Sequence, residues 1–342
     1  MAAAKPRKPR LALIGPDSLK GREILSVLTA KKFPLASIEF YDPEVEQEYS
    51  KLGQFGDEPK VVHALTPAIL EGLDLVFLAG DEATNRTYGR LAAEKTYTAL
   101  DLEETFNADP GVPLVVAGIN DGTLRKSRPP LIANPNPATI MLAHLLQTLR
   151  DGFGLVKALA FILEPVSAYA EAGIQELADQ SFALLGSSAM RKKVFPAQVA
   201  FNLLPRMAKP EANGFSSLEN QVLAECRRVL GPADVPLSLT IVLAPVFHTF
   251  SIMSYVELER EARVADLGAC FNKNDVFRLS PASGKDVVSP VTVAGKDRIF
   301  MGRVKKDGLN PRGFWIWTVA DNLTLGSAIN AYGVARALFG AA

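Results

Sequence analysis

Cysteine and histidine are scarce in this chain of 342 residues, which contains two cysteines and three histidines. Cys226 and Cys270 are too few for a disulfide scaffold or a zinc site built from cysteines, and they favour the reducing cytoplasm. The histidines, at positions 63, 144 and 248, lie far apart without the spacing of metal ligands, so we expect no metal site. We interpret His63 and His144 as surface or helix-face residues.

Long hydrophobic runs and a net charge are also missing. The most apolar segment, 158–172, is interrupted by Glu164 and Pro165, so we expect no membrane span. Residues 1–9 are basic and precede only a short apolar run, which indicates a disordered basic tail and not a signal peptide. Lys plus Arg and Asp plus Glu both number 37, so nucleic acid is not an expected partner. The chain is therefore expected to be cytoplasmic.

The remaining composition is that of a globular protein. Hydrophobic residues make up 48% and charged residues 22% of the chain, which excludes disorder over most of its length. At roughly 100–200 residues per domain, the length suits two domains.

The first part of the chain alternates short apolar runs with amphipathic stretches. These patterns predict strands at 10–15, 37–41, 73–80, 97–102 and 112–116, with helices at 21–29 and 84–94. Such alternation is typical of a parallel sheet covered by helices, as in a Rossmann-like dinucleotide-binding domain. We assign this domain to residues 10–134 and 322–342, because a helix predicted at 325–339 has an apolar face that can pack back on it.

The pattern changes after residue 134. We expect a helix at 138–150 and strands at 156–163, 237–245, 251–259 and 315–319. Residues 255–259 alternate apolar and charged side chains, as an antiparallel strand with one wet face does. Residues 135–321 are therefore predicted to form a second, α+β domain, and the whole chain an α/β protein.

The turn after the first strand reads Gly15-Pro-Asp-Ser18-Leu-Lys-Gly21. Small residues here allow the backbone to approach a pyrophosphate at the N-terminus of the next helix, where N–H groups and the helix dipole favour an anion. Because the middle position is serine, the motif also fits a plain turn from strand to helix with Asp17 or Ser18 as the N-cap. Both interpretations remain open on the sequence.

An acidic segment follows the second strand. It contains Asp42, Glu44, Glu46 and Glu48. An acid at this point binds ribose hydroxyls and repels a 2′-phosphate, so a bound dinucleotide would be NAD in preference to NADP. A solvated acidic turn explains the same residues.

Several segments together resemble the aspartate-semialdehyde dehydrogenase family. They keep the order and spacing of that family and cover about residues 10 to 340. They are the segments 15–21, 74–80, 109–116, 132–136, 195–205, 245–247 and 319–331. The resemblance implies a Rossmann-like NAD(P)-binding domain followed by an α+β dimerisation domain of the semialdehyde dehydrogenase type.

The resemblance also implies a chemistry that this chain cannot perform in the same way. Members of the family reduce an acyl phosphate with NADPH through a thioester on a cysteine, assisted by a histidine. The cysteine would follow Asn134-Pro-Asn136, where this chain has Pro137. A Phe-Arg-Gly-His pattern would follow Pro-Val, but the chain reads Phe-His248-Thr-Phe250. Phe250 thus replaces the histidine and His248 replaces an arginine that binds substrate.

Further positions implied by the resemblance are altered as well. Glu219 keeps an acid, Gln221 replaces a lysine, Asn107 replaces a phosphate-binding arginine, and Ala168 and Ala170 replace glycines of a segment that begins at Glu164. We therefore describe a degenerate substrate pocket made of Asn107, Asn136, Pro137, Glu164, Glu219, Gln221, His248 and Phe250. We expect cofactor contacts from Gly15, Ser18, Leu19, Gly80 and Asn322.

Two residues are candidates for relocated catalytic groups. Cys226 lies on the apolar stripe of a helix predicted at 217–230, so we interpret it as a core cysteine. If residues 248 and 250 lie in one strand, they share a face, and the side chain of His248 can point into the substrate pocket. A partly buried histidine bonded to backbone is the alternative.

Two hypotheses follow from these substitutions. The first is a non-catalytic member of the family that binds a small ligand or a partner, as a homodimer or as a heterodimer with a true dehydrogenase. The second is an NAD(H)-dependent oxidoreductase that forms no thioester and uses His248 or Tyr169 as its proton donor. Loss of the nucleophile together with the acid–base group and two cations favours the first.

Overall fold

The computed structural model describes residues 8–46, 51–95, 97–186, 189–205, 207, 209–231, 236–280 and 287–340. The chain divides into two compact units, one made of Met1–Asn136 with Ser327–Ala342 and the other of Pro137–Gly326. The predicted boundaries after residues 134 and 321 differ from these boundaries by two and by five residues. Residues 1–7 of the predicted basic tail and Glu48 lie outside the described residues.

The first unit is built on a seven-stranded sheet with the order β3-β4-β2-β1-β5-β6-β7. All neighbouring strands are parallel except β3 and β4, which form an antiparallel hairpin. The strands are β1 (Arg10–Ile14), β2 (Ser37–Asp42), β3 (Lys51–Phe55), β4 (Glu58–Ala64), β5 (Leu75–Leu78), β6 (Thr98–Asp101) and β7 (Leu131–Ala133). The predicted Rossmann-like class is confirmed.

Helices of the first unit pack on this sheet. They are α1 (Leu19–Ala30), α2 (Glu82–Lys95), the single turn α3 (Leu124–Ser127) and, from the end of the chain, α9 (Asn330–Phe339). Ala331, Val334 and Leu338 of α9 belong to the same buried cluster as Ile24 and Leu28 of α1. The last helix therefore packs on the first unit, as its apolar face predicted. A π-helical segment, Thr324–Ile329, directly precedes α9 and includes the first residues of the predicted helix.

The strand predicted at 112–116 is wrong. Only Leu114 forms a bridge there, to Ala133. Pro113 has no N–H to donate, and the N–H of Val116 is taken by the side chain of Asn120 at 2.8 Å. The strand that pairs with β6 at this edge of the sheet is β7.

The second unit contains a six-stranded mixed sheet with the order β11-β12-β13-β10-β8-β9. Its strands are β8 (Leu155–Glu164), β9 (Leu237–Leu243), β10 (Phe250–Leu258), β11 (Phe277–Leu279), β12 (Ile299–Lys306) and β13 (Gly313–Ala320). Its helices are α4 (Pro137–Phe153), α5 (Ala170–Leu185), α6 (Ser217–Leu230), α7 (Val264–Phe271) and the turn α8 (Pro290–Val293). This is the expected α+β domain.

The two faces of this second sheet differ. On β8, Ala158, Ala160 and Ile162 are buried, whereas Leu159 is 47% and Phe161 is 42% exposed. The alternation follows from the pleat of a strand, which directs successive side chains to opposite faces. One face packs under helices and the other leaves apolar side chains uncovered.

Candidate functional site

The predicted site residues fall in both units, and each set is described within its own unit. In the first unit the loop after β1 is folded tightly. Gly15 has φ +77°, and a Cβ on it would overlap the backbone of Ala79 and Gly80. The loop therefore packs on the end of β5 and brings together Gly15 and Gly80, two of the predicted cofactor contacts.

Ser18 is the N-cap of α1. Its Oγ accepts a hydrogen bond from the Gly21 N–H at 2.9 Å and donates one to the Gly15 carbonyl at 3.1 Å. The capping interpretation is therefore confirmed for Ser18. The N–H groups of Leu19 and Lys20 lie in the same first turn, ahead of any partner within the helix, and they give the loop its capacity to bind an anion.

A charged group adjoins this loop at the end of β2. The Lys51 ammonium forms an ion pair with Asp17 and lies 3.6 Å from Asp42. Asp42 is buried and also accepts the Glu44 N–H at 2.9 Å. Contact with Asp17 raises the pKa of Lys51. The guanidinium of Arg22 also donates to the Asp17 carbonyl, so two cations stand beside the two carboxylates at this rim.

A second acidic group lies after β6, around Lys20. The Lys20 ammonium donates to the Leu102 carbonyl at 2.7 Å and pairs with Glu103 at 3.3 Å and Glu104 at 3.6 Å. Burial raises the pKa of Asp101 to about 6, although it accepts backbone N–H groups of Glu103 and Phe106. The sequence reasoning missed this group, in which Asp101 lies at the end of a predicted strand and Glu103 and Glu104 directly follow it.

Asn107 and Asn136 lie near these acids. The Asn136 side-chain amide donates to Glu104 at 2.9 Å, and that of Asn107 donates to the Asn134 carbonyl at 3.3 Å. Both residues are buried. In this unit the side-chain amide of Asn136 is therefore already bonded to a carboxylate.

In the second unit Pro137 is the first residue of α4 and is buried. A Cβ on Gly326 would lie 2.5 Å from Cβ of Pro137, so the proline ring packs directly against that glycine. Proline suits the first turn of a helix, where its missing N–H is not needed. The helix thus begins with a packed, chemically inert ring.

Neither thiol substitutes for a nucleophile at this position. Cys226 on α6 is only 3% exposed, as predicted for a core cysteine, and burial raises the pKa of its thiol. Beside it, the buried Glu225 carboxylate accepts the Thr139 hydroxyl at 2.7 Å and the Gln221 amide at 2.8 Å. Cys270 on α7 is half-buried, and burial raises its pKa as well.

The placement of His248 and Phe250 in one strand is wrong. The strand β10 begins at Phe250, while His248 lies in a bend before it. Thr249 between them has φ +78°, so the segment is not an extended strand and the period-two argument does not apply. Phe250 is 1% exposed and His248 is half-buried.

Asn322 is buried and joins two segments of this unit. Its Oδ1 accepts the Ser167 hydroxyl and the Thr249 N–H, both at 3.1 Å. Nearby, the Tyr169 hydroxyl donates to the buried Glu164 carboxylate at 3.3 Å. Burial raises the pKa of Tyr169, and the charge of Glu164 adds to the effect.

Glu219 and His144 are buried, and their surroundings account for both residues without a ligand. Glu219 caps α6 with Ser216 and accepts the Ile241 N–H at 2.9 Å. Burial alone would raise the pKa of Glu219, but these hydrogen bonds hold it below its ordinary value. His144 lies on α4, but it is not at the surface. Burial lowers its pKa to about 4, so the ring is neutral near neutral pH.

Ala170 has a backbone conformation that glycine normally adopts, with φ +56° and ψ −159°. The side chain is exposed, so its removal leaves no cavity. We expect Ala170→Gly to raise the free energy of unfolding by about 1–2 kcal/mol, because the strain of a Cβ in this region is removed.

Denaturant titration of Ala170→Gly beside Ala178→Gly tests this expectation. Ala178 lies within α5, where glycine should instead lower the free energy of unfolding by about 1 kcal/mol. Equal losses in both variants would show that Ala170 is not strained.

Among the described residues, no group of three or more His, Cys, Asp or Glu side chains is arranged to hold a metal ion. Within the same residues, no helix is both long and apolar enough to cross a membrane.

Comparison with known proteins agrees with this architecture. The family model for the semialdehyde dehydrogenase dimerisation domain matches residues 146–325, more than half of the chain. The fold and this match define a protein of the semialdehyde dehydrogenase class. The aspartate-semialdehyde dehydrogenase of Aquifex aeolicus is 28% identical over 333 residues, which are 96% of this chain and 97% of the relative.

Solved structures give the same result. Aspartate-semialdehyde dehydrogenase II of Vibrio cholerae, complexed with ASA, is 26% identical, with a TM-score of 0.89 over 98% of this chain and 99% of that one. The chain belongs to the aspartate-semialdehyde dehydrogenase family. The enzyme of Candida albicans with NADP is 15% identical, with a TM-score of 0.68 over 97% of this chain and 98% of that one, and shows the likeness of fold alone.

Proposed function

We propose that this chain is a non-catalytic member of its family, a cytoplasmic homodimer that has lost acyl-transfer chemistry and acts by binding a ligand or a partner. A heterodimer with an active dehydrogenase is the other form of the same proposal. The observation that carries it is Pro137, buried at the start of α4 where the family resemblance requires a nucleophilic cysteine.

The surrounding residues support the proposal. Cys226 is buried with a raised pKa, so its reactive thiolate form is disfavoured. Loss of a positioned acid–base group typically costs about 10²–10⁴ in rate, and here Phe250 replaces that group while the nucleophile is also absent. Gln221 stands where the resemblance implies a lysine, and its side-chain amide donates a hydrogen bond to Glu225.

The oxidoreductase alternative is weakened by the same geometry. Tyr169 would have to release a proton, yet burial and Glu164 raise its pKa. His248 lies in a bend before β10 and is not held on a strand face beside residue 250.

The proposal predicts that purified protein gives no NADPH when supplied with NADP+, aspartate semialdehyde and phosphate, under conditions in which an active relative turns over. The Cys226→Ser/Cys270→Ser variant serves as the control for an unexpected thiol. Turnover that survives in the double variant would reveal chemistry without a thioester. Turnover abolished in it would reveal a relocated nucleophile. Either result would contradict the proposal.

We further propose that a dinucleotide, if bound, is NAD(H) in preference to NADP(H). Asp42, Glu44 and Glu46 lie at the end of β2, where a 2′-phosphate would meet their negative charge. Lys51 offsets part of that charge. The repulsion should cost on the order of 1–3 kcal/mol, a factor of roughly ten to a hundred or more in affinity.

Calorimetric titration of both cofactors at low and physiological salt measures this preference. Asp42→Asn keeps an oxygen for the Glu44 N–H but removes the charge. It should therefore narrow the difference in affinity between NAD(H) and NADP(H). Glu82→Gln, on the exposed start of α2, should leave the difference unchanged. Equal or tighter binding of NADP(H), or no binding of either cofactor, would remove the inference.

A further inference from the structure

The nucleotide loop of the first unit is tied by one side chain to the acidic segment after β6. Lys20 is the second residue of α1, directly after the loop, and its ammonium donates to the Leu102 carbonyl at 2.7 Å. The same ammonium lies 3.3 Å from the Glu103 carboxylate and 3.6 Å from that of Glu104. Lys20, Glu103 and Glu104 thus form a charged contact within the unit, the Lys20 clasp.

The clasp lies where an open α/β sheet binds its ligands. The strand order places β5 between β1 and β6, and the chain turns to opposite sides of the sheet after β1 and after β4. Ligands of such sheets bind outside the carboxyl ends of the strands at this reversal. Lys20 follows β1 and its partners follow β6, so the clasp spans the crevice that a dinucleotide would enter.

Several contacts hold the clasp in place. The buried Asp101 carboxylate accepts the Glu103 N–H at 3.0 Å, and Glu104 accepts the Asn136 amide at 2.9 Å. Glu104 has φ +64°, a conformation that residues with a Cβ adopt only where their surroundings impose it. Burial alone would lower the pKa of Lys20, but the charges of Glu103 and Glu104 raise it above its ordinary value. The clasp is therefore a fixed part of the fold.

The neighbouring loop after β5 is engaged in the same way. The Asn85 side chain accepts the Gly80 N–H at 3.1 Å and donates to the Gly80 carbonyl at 3.0 Å. Its amide also lies 3.4 Å from the Thr105 hydroxyl, next to Glu104 in the sequence. Asn85 is fully buried. The backbone of Gly80, an expected cofactor contact, thus already has partners within the unit, and the loops after β5 and β6 are joined.

The charges of the clasp oppose an anion at the loop. An ammonium group has three donors, and three oxygens of the chain itself surround that of Lys20. A pyrophosphate at the first turn of α1 would compete with two carboxylates for this cation. It would also bring two negative charges near Glu103 and Glu104, which like-charge repulsion disfavours.

We propose that the Lys20 clasp is an autoinhibitory contact, in which Glu103 and Glu104 hold the nucleotide loop closed to the pyrophosphate of a dinucleotide. This inference rests on the proposed binding of a dinucleotide at the loop. It concerns the affinity for the pyrophosphate, whereas the preference for NAD(H) is a ratio of two affinities and the loss of catalysis is a rate. The three are therefore measured separately.

Titration calorimetry of the intact protein with ADP-ribose tests the clasp. This probe carries the pyrophosphate without a 2′-phosphate or a nicotinamide. Glu103→Gln/Glu104→Gln keeps oxygens for Lys20 and for the Asn136 amide but removes two negative charges. We expect this variant to bind ADP-ribose at least about tenfold more tightly than the parent. Adenosine, which has no phosphate, should show no such gain.

A matched control and the single variants complete the test. Glu71→Gln/Glu94→Gln removes two exposed carboxylates from the opposite edge of the sheet, including the ion pair of Glu71 with Lys95, and should bind ADP-ribose like the parent. Glu103→Gln and Glu104→Gln each leave one carboxylate on Lys20, so they replace the double variant if it does not fold. Each should tighten binding at least about threefold.

Three results would overturn the proposal. They are equal affinity for ADP-ribose in the parent and the clasp variants, no saturable binding in any of these proteins, and an equal gain in the control variant. If the parent binds no dinucleotide but a clasp variant binds ADP-ribose, the proposed preference for NAD(H) falls while the clasp stands.

Discussion

Pro137→Cys is expected to leave the protein without measurable dehydrogenase activity, at least about a hundredfold below an active relative assayed in parallel. The new thiol would lie in the first turn of α4, where a helix N-terminus lowers a cysteine pKa and makes the thiolate available. A nucleophile alone does not suffice. Phe250 cannot move a proton, and loss of that step by itself costs about 10²–10⁴ in rate.

The resemblance implies that the cations that would hold an acyl phosphate are also missing. On that assignment Asn107 stands for one of them and donates its amide to the Asn134 carbonyl, while Gln221 stands for another and donates to Glu225. Without those cations a dianionic substrate would gain little binding energy to orient its reacting carbon.

Formation of NADPH and alkylation of the new thiol by iodoacetamide should be measured on the same sample. Rapid alkylation with no turnover would confirm that the nucleophile is accessible and the remaining machinery absent. Pro137→Ser is the control for alkylation at the two native cysteines. Activity within about a hundredfold of the relative would show that the pocket is far more intact than we infer.

A glutamate at position 161 is expected to convert a dimer into monomers. Phe161 is 42% exposed on the uncovered face of the second sheet, in the domain that the family model describes as a dimerisation domain. Strand register places Phe161 beside Met253 and Met253 beside Trp317, and the next row joins Leu159, Tyr255 and Trp315. Three neighbouring strands thus present an apolar centre.

Polar residues border this centre on both sides. Thr240 of β9 pairs with Phe161, and Arg303 of β12 pairs with Trp317. An apolar core with a polar rim is the usual anatomy of a subunit interface. A charge buried at its centre should weaken dimerisation by about thirtyfold or more, since such positions often contribute 2 kcal/mol or more each.

Sedimentation velocity over a concentration series measures this effect. Phe182→Glu is the matched control, because Phe182 is 75% exposed at the end of α5 and does not lie on the sheet. The control should remain a dimer. A parent protein that is monomeric at micromolar concentration, or a Phe161→Glu variant that dimerises like the parent, would contradict the assignment of the interface.

Prediction from sequence succeeded where local pattern and burial agree. The strands β1, apart from Arg10, and β5 are apolar because both faces of a parallel sheet are covered. The apolar stripe of α4 predicted the helix, although the helix is buried on all sides over its first ten residues. The hairpin β3–β4 was missed because its residues, among them Lys51, Glu58 and Lys60, are charged and lie at an exposed edge. Edge strands carry little hydrophobic signal.

The sequence by itself determined which chemistry position 137 and position 250 can perform, since a proline or phenylalanine side chain has no nucleophile or titratable proton in any fold. Only the tertiary structure decided how the altered residues are engaged. The Gln221 amide bonds to Glu225, the Asn136 amide bonds to Glu104, and Thr249 keeps a positive φ with its N–H on Asn322. These last two bonds join residues 32 and 73 positions apart, and a backbone held in a rare conformation depends on contacts that no local pattern records.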